Sequence, residues 1–247
     1  MVIINSVLVA SFNHILSVFK VPSTICAHID HLLMRFWWRS LPSTIGVTLA
    51  PTASPHLLKG LGGLGLRLLG CFNKALLGRQ GWRMFHNPKL LVLKLLFSKY
   101  PSLLARPEER ILHPSWSCRG LQEGLSVVAT RSSWKVSDGS RVHILVDKWV
   151  LGGSVSFRSD LLGSNLPTHV SYITDPQSNT WDVSLVHRLF NALTVTWILI
   201  LERPWWSMND FVYWKYTRDG SFTTKSAYAL LLGRQFSRFF GGRPSPE

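Results

Sequence analysis

Phe72-Asn-Lys-Ala-Leu-Leu-Gly-Arg-Gln-Gly-Trp-Arg-Met-Phe85 reads as one amphipathic helix. Phe72, Ala75 and Leu76 recur at helical spacing on one side, whereas Arg79 and Arg83, four apart, share another. A face that must be buried, set beside a basic face, predicts a packed helical unit with a cationic stripe. Asn87-Pro88 follows and predicts the start of the next helix, running from Pro88 to about Lys99, because Asn can cap and Pro is tolerated in a first turn.

Upstream, Val2 to Phe19 is an apolar segment that ends at Pro22. It lacks the basic flank and small-residue cleavage pattern of a signal peptide, and Asn5, Asn13, His14 and Lys20 interrupt it too often for a membrane span. Ser23 or Thr24 can cap a second helix, in which Ile25, Ile29, Leu32, Leu33 and Phe36 recur at helical spacing to about Arg39. The Pro-, Ser-, Thr- and Gly-rich residues 40–65 predict a long irregular loop.

Downstream of Pro107 the pattern shifts toward short strands. Trp134, Val136, Val142, Ile144 and Val146 flank Ser137-Asp-Gly-Ser140 and predict a β-hairpin over 134–146. A second hairpin is expected from Phe211–Tyr216 and Ser221–Thr223 around Asp219-Gly220, followed by a short helix from about Ser226 to Leu232. Trp181 to Phe190 reads as helical, and Gly241–Glu247, poor in apolar residues, reads as disordered. The fold class expected is α+β. Its segments are a mainly helical one at 1–105, a mixed one at 106–205, a short one at 206–232 and a disordered tail at 233–247.

Hydrophobic residues make up 46% of the 247, enough for a sizeable core. The formal net charge is +14, and residues 1–100 hold eleven Lys or Arg against one acid, Asp30. Such a field selects a polyanionic partner or an anionic surface. Cys26, Cys71 and Cys118 are odd in number and widely spaced, which fits a reduced, intracellular compartment.

Several motifs fail on context. Gly60-Leu-Gly-Gly-Leu-Gly65 matches a dinucleotide-loop pattern, yet no β-branched run precedes it and no acid lies between Asp30 and Glu108. Cys26, His28, Asp30 and His31 include metal-ligand types but have no second cluster to close a site, so they read as helix surface. Glu108-Glu109, Asp138 and Asp147 form no acid/base pair or two-metal arrangement. Basic residues interleaved with aromatics remain: Arg35, Trp37, Trp38 and Arg39, then Arg79, Trp82 and Arg83. The Trp residues read as core; the Arg residues can hold phosphates bidentately.

Gly62-Gly-Leu-Gly-Leu-Arg67, Phe72-Asn-Lys-Ala-Leu-Leu77, Gln80-Gly-Trp-Arg83 and Asn87-Pro88 closely resemble the block that follows the polymerase in plant LINE-type retroelement reverse transcriptases. Upstream, Asn5-Ser-Val-Leu8, Pro22 and Phe36-Trp-Trp38 continue the likeness. So do, downstream, Trp134-Lys-Val-Ser-Asp-Gly139, Asp147-Lys-Trp149, Trp181-Asp182, Leu189-Phe190, and Trp214 through Gly220 to Lys225-Ser-Ala-Tyr228. Leu41 to Lys59 departs from the family, which carries a Trp-containing segment there.

The resemblance implies thumb-like helices followed by the truncated start of a zinc-binding region at 206–232. It also implies a nuclear or cytoplasmic location. The family's catalytic Tyr-x-Asp-Asp turn has no counterpart, since the chain contains no Asp-Asp pair, and the zinc ligands lie beyond its last residue. No enzymatic activity, no zinc or magnesium site and no small-molecule substrate or membrane partner is therefore expected. The expected partners are RNA or DNA backbone, without sequence specificity, and the rest of a retroelement polyprotein. Arg35, Arg39, Lys74, Arg79 and Arg83 are the candidate phosphate contacts, with a structural or protein-interaction piece as the alternative.

Overall fold

The computed structural model describes residues 7–38, 65–87, 89–100, 103, 111–161, 166–175, 178, 180–202 and 209–240. In chain order its helices are α1 (Val9–Ser11), α2 (Asn13–Leu16), α3 (Ser23–Trp38), α4 (Leu69–His86), α5 (Leu91–Lys99), α6 (Trp116–Ala129), α7 (Val183–Leu189), α8 (Ala192–Ile200) and α9 (Thr224–Phe240). The strands are β1 (Ser132–Lys135), β2 (Thr174–Asp175), β3 (Thr180–Trp181) and β4 (Phe211–Trp214). The fold is α+β with two small antiparallel sheets, β1-β4 and β2-β3. It divides into two compact units, one comprising residues up to Thr130 and from Phe222 onward, the other Arg131–Ser221. Those limits differ from the segment boundaries at 105/106 and 205/206 expected above.

In the helical unit α4 is the central element, packed by α2, α3, α6 and α9. Its buried face carries Phe72 and Ala75, as the periodicity predicts, together with Leu77; Leu76, expected on that face, is only half-buried. Leu16, Cys26, Met34, Leu66, Leu69 and Phe72 form one apolar cluster, and Met84, Leu93, Tyr100, Cys118 and Leu125 are members of another. Asn73, 2% exposed, ties the N-terminal segment to this helix. Its Nδ2 donates to the carbonyls of Leu16 (2.6 Å) and Phe19 (2.8 Å), and its Oδ1 accepts from the Val21 amide (3.0 Å). A buried amide satisfied on both ends fixes the path of an otherwise unspecific apolar segment.

The first turn of α4 has no side-chain cap of its own. Asp30 of α3 supplies one from a distance, accepting the Leu69 amide at 3.1 Å, and the Tyr228 hydroxyl accepts the Leu68 amide at 3.0 Å. Burial pushes the Asp30 carboxyl up to about 6, and the Leu69 hydrogen bond only partly opposes this. A folded-state value above the unfolded one means that Asp30 contributes stability fully below pH ~4 and loses it as pH rises through ~6. The shift of about two units amounts to ~3 kcal/mol. Asp30→Asn keeps an acceptor for Leu69 without the charge. We expect urea melts to show it more stable than wild type at pH 8 by about 2 kcal/mol, with the difference vanishing near pH 4; equal midpoints at both pH values would refute the account.

Four expectations are corrected. Asn87 does not open the next helix: its Nδ2 donates to the Arg83 carbonyl (3.3 Å) at the end of α4, and α5 starts at Leu91 with no side-chain cap. Residues 116–129, in a region expected to form strands, are the helix α6, capped by Ser115, whose Oγ accepts the Cys118 amide at 3.2 Å. Gly120 and Gly124 give α6 a low intrinsic propensity, but both touch backbone of neighbouring segments, so packing overrides propensity. The helix expected at 226–232 runs from Thr224 to Phe240, so the tail expected to be disordered from 233 is helical through Phe240. The Trp181–Phe190 segment begins as strand β3 and becomes helical only at Val183, where Asp182 accepts the Leu185 amide at 2.9 Å.

Both hairpins are also corrected. Their turns form, with Gly139 at φ 72° and Gly220 at φ 71°, but the arms go elsewhere. β1 pairs antiparallel with β4, Ser132 opposite Trp214 and Lys135 opposite Phe211. The other arm of the first turn joins residues 168–170, with Val170 N donating to Val142 O (3.0 Å) and Ile144 N to Thr168 O (2.9 Å). After the second turn Trp214 N donates to Gly220 O (2.7 Å) and Thr217 Oγ1 to Ser221 O (2.8 Å), but 221–223 form no strand.

The core of this mixed unit contains Val142, Ile144, Trp149, Ile173, Phe190 and Ile198. The expected loop at 40–65 lies outside the described residues except at Gly65. So do residues 2–6 of the N-terminal apolar segment, Pro88, Glu108, Glu109 and 241–247.

Candidate nucleic-acid interface

The basic face of α4 forms one wall of a groove in the helical unit. Leu76, Arg79, Gln80 and Arg83 line it from α4, and Asn13, His14 and Ser17 line it from α2 and the residue after it, enclosing about 500 Å³. Arg79 and Arg83 lie one helical turn apart, about 6 Å along the axis. Both are exposed, and among the described residues neither has a carboxylate within ion-pair distance. Gln80 Oε1 accepts from Arg83 Nη1 at 3.1 Å, which orients one guanidinium. Because α4 contains no acid, two like charges four residues apart repel each other by a few tenths of a kcal/mol until an anion bridges them. Arg83 also lies in the last turn, where a cation complements the helix dipole.

Of the other three sequence candidates, neither Lys74 nor Arg35 joins this groove. Lys74 lies about 140° around the helix from Arg79 and is held by Glu123 of α6 at 3.1 Å. Glu123 also binds Lys20 at 2.6 Å. Burial works to raise the Glu123 carboxyl, but the hydrogen bonds and charges of Lys20 and Lys74 outweigh it and hold the group below the usual carboxylate range. Arg35 is exposed in the last turn of α3 and does not line the groove. Arg39 lies outside the described residues.

Sequence reasoning missed Asn13, His14 and Ser17 as partners of the arginines. They were visible only as polar interruptions of an apolar run. Their spacing does place them on one helical side, but nothing local says which helix that side meets.

Other titratable groups serve the fold. Burial pushes the Cys71 thiol up to about 11 and also raises Cys26, which keeps both protonated and unreactive. His28 and His31 are exposed while Asp30 is buried, so the Cys26–His31 cluster does not converge. Among the described residues no group of three His, Cys, Asp or Glu can hold a metal ion, and no helix is long and apolar enough to cross a membrane.

The chain is thus an α+β protein whose helical unit carries an acid-free cationic groove. Over 229 residues, 88% of its length, it is 27% identical to an Arabidopsis thaliana protein named "Putative ribonuclease H protein". Over 140 residues, 55% of its length, it is 29% identical to an uncharacterized mitochondrial protein of Arabidopsis thaliana, of which it covers 90%. The chain spans 36% of the first relative. No family model and no solved structure matches it.

Proposed function

We propose that this chain is a catalytically incomplete segment of a plant LINE-type retroelement protein, in which the helical unit contacts nucleic-acid backbone without reading sequence. The observation that carries the reading is the Arg79–Arg83 pair, set in a polar groove with no carboxylate to neutralise it among the described residues. Guanidinium groups at such spacing suit bidentate contact with successive phosphates. The plant relatives, one of them bearing a ribonuclease H name, support a nucleic-acid setting. The absence of catalysis is part of the proposal. Asp30, Asp147 and Asp210 accept backbone amides, and Glu123 holds two lysines, so these carboxylates are engaged in the fold.

Filter binding of oligonucleotides at salt between about 50 and 200 mM tests it. Salt-sensitive binding is expected. Arg79→Ala with Arg83→Ala should weaken it about tenfold and reduce the magnitude of the salt slope by about two, one for each phosphate that the missing guanidinium groups would neutralise. Binding that is absent at low salt, or indifferent to salt, would sink the reading.

The alternative, a protein-interaction piece, rests on an apolar groove of about 340 Å³ that includes Phe12, Ile15, Ile25 and Trp116. Phe12 is 44% exposed, Ile25 50% and Trp116 67%. Concentration-dependent self-association without oligonucleotide binding would favour it.

A further inference from the structure

Beside the arginine pair, two rings of α4, Trp82 and His86, form a column with Phe222, which precedes α9. Phe222 and Trp82 stack with centroids 6.0 Å apart and an interplanar angle of 26°, and Trp82 and His86 follow at 4.2 Å and 36°. Trp82 is half-buried between its neighbours, whereas His86 is exposed at the outer end. The His86 ring is held in place: its Nδ1 lies 3.1 Å from the Trp82 carbonyl, which can only accept, so Nδ1 carries the hydrogen. At 3.6 residues per turn, Trp82, His86, Arg79 and Arg83 fall within about 100° of arc on α4.

We infer that the ring column ends in a stacking platform for an unpaired base, so the Arg79–Arg83 site takes single-stranded nucleic acid in preference to duplex. The inference rests on the backbone-contact reading above and names the form of strand that reading leaves open. A ring held against a tryptophan loses little entropy when a base covers its exposed side. In a duplex, base faces are already covered by their neighbours, so the platform favours only the unpaired form.

The test is filter binding of the full chain to a 12-nucleotide oligoadenylate, as RNA and as DNA, and to its duplex with the complementary strand. Wild type is expected to bind the single strands about fivefold or more tighter than the duplex. His86→Ala should lose about fivefold to tenfold on single strands and stay within about twofold on duplex, while His86→Phe, which keeps a ring, retains single-strand affinity. Equal affinity for both forms, an unaffected His86→Ala, or a loss shared equally between them overturns this inference alone. Absence of salt-sensitive binding to either form overturns the phosphate reading, and this inference with it.

Discussion

Gly124→Ala is expected to lower the stability of the helical unit by about 2–3 kcal/mol, read as a fall in the urea midpoint. An alanine within a helix gains up to ~1 kcal/mol over glycine, so the loss must come from packing. A Cβ on Gly124 would overlap the Leu77 carbonyl oxygen of α4 and lie 2.7 Å from its carbon. These are backbone atoms and cannot rotate away. The contact is reciprocal: a Cβ on Gly81 would lie 2.5 Å from the Gly124 carbonyl oxygen and 2.8 Å from the Leu125 nitrogen.

The two helices therefore meet backbone to backbone, and a methyl group forces them apart along the layer that buries Met84 and Leu125. Gly70→Ala and Gly233→Ala supply the control. A Cβ at either helical position would have nothing within 4 Å, so each should stabilise by about 0.5–1 kcal/mol. If Gly124→Ala matched these controls in sign, the close helix contact would be wrong.

Asp210→Ala should cost the mixed unit about 3–5 kcal/mol, the largest effect expected of a polar residue in it. Asp210 is 1% exposed and immediately precedes β4. Its Oδ1 accepts the amides of Ser137 (2.6 Å) and Gly139 (3.0 Å), and its Oδ2 accepts that of Arg141 (2.9 Å). Three converging amides make an anion-binding nest, here filled by the protein's own carboxylate. Removing the carboxylate leaves buried donors without a partner, and an unmade buried hydrogen bond costs the full desolvation of its group. Amide hydrogen exchange separates this from a general loss of packing: Ser137 and Gly139 should lose protection first, together with the β1–β4 ladder. Asp210→Asn retains one oxygen acceptor and should fall between wild type and alanine. Equal protection in all three proteins would show that the nest is dispensable.

The Asp210 nest also explains why the first hairpin was not legible. Ser137-Asp-Gly-Ser140 has the chemistry of a tight turn, and Gly139 does take the left-handed conformation. What the residues nearby cannot reveal is that a carboxylate 71 positions away sits inside the turn. That contact lets β1 choose β4 as its partner. Helix α6 failed for the same kind of reason in reverse. Its glycines argue against a helix when read alone, yet they are what allows the close approach to α4.

The sequence by itself determined that α3 and α4 are helices, from a 3.6-residue apolar repeat over four or five turns, but not which face of α3 is buried: Ile25, Leu32 and Phe36 of its repeat are exposed, whereas Cys26, Asp30 and Met34 are buried. It also determined where the chain turns, at Asp138-Gly139 and Asp219-Gly220, and that Arg79 and Arg83 share a side of one helix. Tertiary structure decided which strands pair, and that Lys74 is bound to Glu123 while the arginines are not. It also decided that Asn13, His14 and Ser17 complete the groove. Periodicity and turn chemistry act over a few residues. Strand partners, ion pairs and grooves depend on contacts between residues tens of positions apart, which acquire definite energies only once the core has brought them together.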